Sequence, residues 1–158
     1  MKTLTLLSFF FLLVLNSYSS MGSSAGGAPT AYEMLESFNF PKGILPEGVK
    51  GYVLHEDNRF EVDLGRECKF QVEENGYYLH YQKKITGSVE FGSLKNLKGV
   101  SVKILFIWVG ISEVFNKGNG DLEFFVGPVS ASFPVSNFDE KPECGSHLGN
   151  NNQLVSDS

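Results

Sequence analysis

The chain has 158 residues, 14 phenylalanines, one tryptophan, two cysteines and a formal net charge of −5. That acidic balance argues against nucleic acid as a partner, because nucleic-acid-binding domains normally carry a basic excess. The length suits one domain built on one core.

The first segment reads as a cleavable secretory leader over residues 1–20. Lys2 supplies the positive start, Leu4 to Leu15 an apolar run broken only by Thr5 and Ser8, and Asn16 to Ser20 a polar exit. The run is too short to cross a bilayer, which takes roughly 20 apolar residues; the alternative reading is an N-terminal membrane anchor. Small residues place cleavage between Ser19 and Ala25. The mature chain is then roughly 135 residues, with a charge near −6 once Lys2 is removed from the −5 total. No later stretch has the length of a membrane span, no hydrophobic C-terminal anchor signal follows, and no Asn-x-Ser/Thr sequon occurs. A secreted, extracellular product without Asn-linked glycan is expected.

Residues 21–29 are small and polar and read as a flexible linker. Residues 30–145 hold the predicted β domain. It opens on a short helix from Ala31 to Phe38, with Thr30 as N-cap, Glu33 completing a capping box, and Tyr32, Leu35 and Phe38 on one face. Phe40 to Pro46 is a proline-stiffened connection. Gly51 to Glu56 and Phe60 to Leu64 form a hairpin around Asp57-Asn58. Cys68 to Glu73 and Tyr77 to Thr86 form a second around Glu74-Asn75-Gly76. In its second strand Tyr77, Leu79, Tyr81 and Ile85 share one face, and Tyr78, His80, Gln82 and Lys84 the other.

A strand is expected at Val89 to Phe91, a lysine-bearing loop at Ser93 to Gly99, and one long strand region from Val100 to Phe115. Its later part is apolar on both faces, as a two-layer or closed sheet requires. Asn116 to Asp121 is a turn, and Leu122 to Val126 and Val129 to Val135 are the last strands, broken at Gly127-Pro128. Residues 146–158 read as a disordered tail. The predicted fold class is mainly β: a single antiparallel barrel or sandwich behind one short helix.

Cys68 and Cys144 are the disulfide candidate in an oxidising compartment, with two separate buried thiols as the alternative. The Gly-x-Ser-x-Gly elbow is absent, and the alternating strand–helix units it needs are missing. His55, His80 and His147 have no metal-spaced companions, so neither metal nor cofactor is expected. Glu61 and Asp63 alternate with apolar residues and read as a wet strand face rather than a glycosidase pair.

Two features suggest binding. Lys83, Lys84, Lys95, Lys98 and Lys103 face only Glu90 between them, and Lys95 and Lys98 in the predicted loop are candidates for an anionic membrane surface, with an ordinary solvated loop as the alternative. Phe106, Trp108, Phe115, Phe124 and Phe133, with Tyr81, are candidates to line an apolar ligand pocket. Plain core packing is the alternative for them.

In order, Phe40-Pro41-Lys42-Gly43-Ile44-Leu45-Pro46, Tyr52, Phe60, Cys68, Tyr81, Ile85-Thr86-Gly87, Leu97, Gly99-Val100, Trp108, Val126-Gly127, Ser132-Phe133-Pro134 and Cys144-Gly145 resemble the plant family called domain of unknown function 538. The resemblance covers about Tyr32 to Gly145, and departs at Asp57-Asn58, where a glycine-containing turn is expected. It implies a β barrel or sandwich after a helix, plant secretory targeting, and a likeness to lipid-binding proteins of the bactericidal/permeability-increasing type. A pigment-ester hydrolase role has also been attached to the family. The expected function is non-enzymatic binding of an apolar small molecule or membrane lipid. The alternatives are an ester hydrolase on chlorophyll-like or lipid substrates, with a Ser or Cys beside His55 or His80, and an apoplastic structural or interaction module.

Overall fold

The computed structural model describes residues 27–72 and 75–145. The leader, most of the linker, Glu73, Glu74 and the tail lie outside the described residues. Helix α1 (Ala31–Ser37) carries the full capping box: Glu33 N donates to Thr30 Oγ1 at 3.2 Å, and Thr30 N donates to the Glu33 carboxylate at 2.7 Å. Both satisfy amides that a helix start leaves without partners. Ala31, Met34 and Leu35 are the buried face. A 3-10 turn (Lys42–Ile44) follows the proline-stiffened connection.

The rest is one antiparallel sheet: β1 (Gly51–Leu54), β2 (Arg59–Asp63), β3 (Cys68–Gln71), β4 (Tyr78–Glu90), β5 (Ser93–Ile104), β6 (Ile107–Asn116), β7 (Asp121–Val126) and β8 (Val129–Pro134). The order is β1-β2-β4-β5-β6-β7-β8, with β3 paired to β4 beside β2. β4 serves two partners along one edge: its lower half pairs with β2 (Val62 opposite Ile85) and its upper half with β3 (Cys68 opposite Tyr81). β8 bonds only to β7 within the sheet, so the ladder is not closed into a hydrogen-bonded barrel.

Three sequence expectations need correcting. Ser93 to Gly99 is not a loop but the first half of β5. Asn96 (φ 52°) and Gly99 (φ 99°) both lie where the pairing of β5 with its neighbours shifts register. Such bulges bend a strand and raise its twist. A Cβ on Gly99 would stand 2.5 Å from the Lys84 carbonyl oxygen, so the close approach requires glycine there. Second, Val89 to Phe91 is no separate strand: Val89 and Glu90 end β4, which runs through Gly87 unbroken. Third, Val100 to Phe115 is two strands, reversing at Leu105-Phe106 between paired Ile104 and Ile107. Neither turn residue is a turn former, so the sequence carries no mark of the reversal.

The bends curl the sheet about its apolar face. Phe60, Val62, Cys68, Phe70, Tyr81, Ile85, Leu94, Val102, Ile111, Val114 and Leu122 meet α1 and Phe40 there in one buried cluster. A strap from the end of β8 spans the open side. It begins with a second 3-10 turn (Val135–Phe138), and Phe138 stacks on Phe124 at 5.4 Å. Glu47 N then donates to the Pro142 oxygen, and Gly145 N to the Lys69 oxygen, each at 2.9 Å. Cys144 is disulfide-bonded to Cys68 on β3. The curled sheet is thus held across its gap by chain and sulfur rather than by a strand ladder.

Candidate functional site

Inside the curl lies a hollow of about 730 Å³, within the usual range for small-molecule sites, roughly 300–1,000 Å³. Every strand from β2 to β8 contributes to its wall. β4 and the residue before it supply Tyr77, Leu79, Tyr81 and Ile85, the four that period-two reading sets on one face. β5 supplies Leu94, Leu97, Val100, Val102 and Ile104; β6 adds Ile111 and Val114; β7 and β8 add Phe124, Val126, Val129 and Phe133. Met34 and Leu35 of α1, with Ile44 and Leu45, form one end.

The wall is not uniformly sealed. Asn75, Tyr77, Val129, Ser130 and Ala131 are exposed lining residues, as are Asn137 and Glu140 on the strap. The opening therefore lies between β8 and the β3–β4 hairpin, above the strap. Tyr77 and Phe133 face each other edge to face across this gap at 6.2 Å. Polar side chains among the lining residues include Asn75, Ser130, Asn137, Glu140 and Lys141. The Lys141 amine also stands 4.4 Å over the Tyr32 ring. The interior has one notable polar group, the Tyr81 hydroxyl, and it donates to the Ile44 oxygen at 2.7 Å. Burial pushes its pKa well above the ordinary tyrosine value.

Of the six pocket candidates, the structure brings Tyr81, Phe124 and Phe133 into the wall and leaves three outside it. Phe106 sits on the β5–β6 turn and is 92 % exposed. Trp108 lies on the outer face, edge-on to His80 at 5.6 Å. Phe115 packs edge to face on Phe125, with the Lys95 amine 5.8 Å over its ring. Aromatic bulk alone did not tell the two faces of β6 apart. Of the aliphatic wall, Leu94 and Leu97 flank Lys95 in the stretch that reads as a loop, whereas Val100, Val102, Ile104, Ile111 and Val114 lie in the predicted strand region. Lys95 and Lys98 are exposed strand residues of β5, not loop residues.

The two described histidines, His55 and His80, are not among the residues lining the hollow, and His147 lies outside the described residues. His80 Nε2 is 3.3 Å from a Glu67 carboxylate oxygen, and His55 Nε2 is 3.6 Å from Glu61. Glu61 also accepts from Lys84 at 3.0 Å, and that bond chiefly holds its carboxyl below the usual range. Neither histidine lines the hollow. Among the described residues no His, Cys, Asp and Glu cluster has the makings of a metal site, and no helix is long and apolar enough to cross a membrane.

A bulged antiparallel sheet curled around an apolar hollow and clasped by one disulfide defines a small cavity-bearing β protein. The chain belongs to the family described as protein of unknown function DUF538, whose model matches residues 31–139. That match runs from the first residue of α1 to just beyond the second 3-10 turn, and Cys144 falls outside it. A comparison with curated proteins found no match.

Proposed function

We propose that this protein binds an apolar or amphipathic small molecule, without catalysis, in the hollow of its curled sheet. The observation that carries the reading is the hollow itself: about 730 Å³ behind an aliphatic and aromatic wall. A well-packed core leaves few voids larger than a water molecule. An apolar chain placed there would regain dispersion contacts that the facing walls do not make with each other. The polar rim of Asn75, Ser130, Asn137, Glu140 and Lys141 suits a ligand whose head group stays at the opening. The same reading has the protein secreted, supported by the leader-like start of the sequence and by a disulfide that needs an oxidising compartment. The hydrolase alternative draws no support from the lining, which pairs no histidine with its serine, Ser130.

The test is uptake of a fluorescent fatty acid by delipidated protein, compared with a Val102→Phe variant. Val102 is buried on the hollow's wall, so added bulk enters space rather than neighbours. The wild type should take up the probe saturably, and the variant should lose uptake while keeping its melting temperature. A folded wild type that takes up no apolar probe overturns the reading, and so does a variant that binds equally well.

A further inference from the structure

Exposed apolar side chains are not scattered over this molecule. Ten large ones are exposed among the described residues. Val53, Leu54 and Phe91 are placed elsewhere; the other seven gather around the β5–β6 turn and the two hairpin ends beside it. The turn itself is Leu105-Phe106, closed by the Ile104–Ile107 pair. Leu105, Phe106 and Ile107 are 84, 92 and 64 % exposed. Two-residue hairpin turns favour Asn, Asp or Gly, because the chain there enters the left-handed region. Leu105 occupies that region at φ 55°, where a bulky side chain is disfavoured. Folding alone would select neither residue for this turn, and no described segment covers them.

What surrounds the tip is ordered by depth. Below it come Trp108, Tyr77 and Tyr78, each a little over two-fifths exposed. Lys103 is level with Trp108, its ladder partner, and its amine stands 6.0 Å from the Tyr78 ring centre; further from the tip, the Lys69 amine stands 6.0 Å from the Trp108 ring centre. An apolar tip followed by an aromatic collar flanked by cations matches the order of a bilayer's acyl region and its charged interface. Glu67 is engaged with His80, which packs edge-on against Trp108. The β7–β8 turn reaches only as far as Val109, whose side chain lies 3.6 Å from a Cβ built on Gly127. Three residues separate Val109 from Phe106, so the tip stands roughly 10 Å beyond that turn. Segments seated in a bilayer interface sink about 5–10 Å.

From this arrangement we infer that the β5–β6 hairpin docks the protein on a phospholipid bilayer. Leu105, Phe106 and Ile107 enter the acyl boundary, Trp108, Tyr77 and Tyr78 sit among the head groups, and Lys69 and Lys103 face lipid phosphates. A protein partner fits the surface less well. A convex tip of three side chains falls far short of the ~800 Å² per partner that a stable protein interface buries. The docking stands independently of ligand binding. The two meet at this end of the fold, where Tyr77 of the collar, with Ile104 and Val129, also lines the hollow.

Trp108 is the chain's single tryptophan, so it reports on its own collar. The experiment titrates the full chain with phosphatidylcholine vesicles, and with vesicles containing phosphatidylglycerol as well. Trp108 emission and co-sedimentation are followed. Emission should shift to the blue, and brominated acyl chains should quench it. Phosphatidylglycerol should tighten binding by about fivefold for each of Lys69 and Lys103. Phe106→Ser should weaken vesicle binding about tenfold to hundredfold. Leu105→Asn should weaken it too, while holding or raising the melting temperature because asparagine tolerates that φ. Both variants should still take up a fluorescent fatty acid if the wild type does, which separates failure here from failure of the cavity reading. Three results overturn the docking: no spectral shift with either vesicle, variants that sediment like the wild type, or concentration-dependent dimerisation that Phe106→Ser abolishes. The last would make the tip an interface between copies.

Discussion

Breaking the Cys68–Cys144 bond should loosen the whole molecule, with the strap failing first. The bond closes a sequence separation of 76 residues. On the chain-entropy account, a loop of that length removes about 4.5 kcal/mol of freedom from the unfolded state. A domain of this size loses roughly 4 °C of melting temperature per kcal/mol, so reduction should lower the midpoint by roughly 15–20 °C. The structure adds a local consequence. The strap's described backbone bonds to the rest of the molecule include Glu47 N to Pro142 O and Gly145 N to Lys69 O, and surface backbone bonds of this kind open easily. The assay is thermal unfolding by circular dichroism with and without reductant, joined to hydrogen exchange. The Glu47 and Gly145 amides should lose protection on reduction before the β4 amides do. A midpoint shift of only a few degrees would refute the entropic reasoning. An equal loss of protection at strap and β4 would refute the picture of a separable clasp.

Two further outcomes follow from particular contacts. A Cβ on Gly43 would stand 2.2 Å from the Phe138 oxygen and 2.3 Å from the Glu140 oxygen, so Gly43→Ala must push the strap off the core. It should destabilise by about 3 kcal/mol, and a variant melting like the wild type contradicts that packing. Tyr81 has a folded-state pKa raised above its unfolded value of 10.0. Its contribution is therefore complete below pH 10 and declines as pH rises beyond it. Tyr81→Phe should lose about 1–3 kcal/mol near neutrality, because the half-buried Ile44 carbonyl loses its donor. Its stability should then fall less steeply above pH 10. Denaturant titrations across pH check this, and parallel curves for the two proteins count against it.

The amino-acid order determined what depends on local chemistry. Thr30 and Glu33 fix the helix start because their bonds close within one turn. Alternation set Tyr77, Leu79, Tyr81 and Ile85 on one face because strand side chains change sides at every residue. The resemblance motif, which includes the proline-stiffened Phe40 to Pro46, matched the family whose model covers residues 31–139. What the order could not reveal was curvature. Asn96 and Gly99 lie in the stretch that reads as a loop, and only their ladder partners show them to be bulges that curl the sheet. Without that curl no hollow exists, so Leu94, Leu97 and Val102 had no site to belong to. Nor could alternation say whether Phe124 or Phe115 faces inward, since both lie on strands with apolar residues on either side. The same limit hid the turn at Leu105-Phe106, made by two residues that local propensity would never place there. Cavity and tip alike arise from contacts between residues distant in sequence, and those contacts are settled only when the strands pair and the sheet curls.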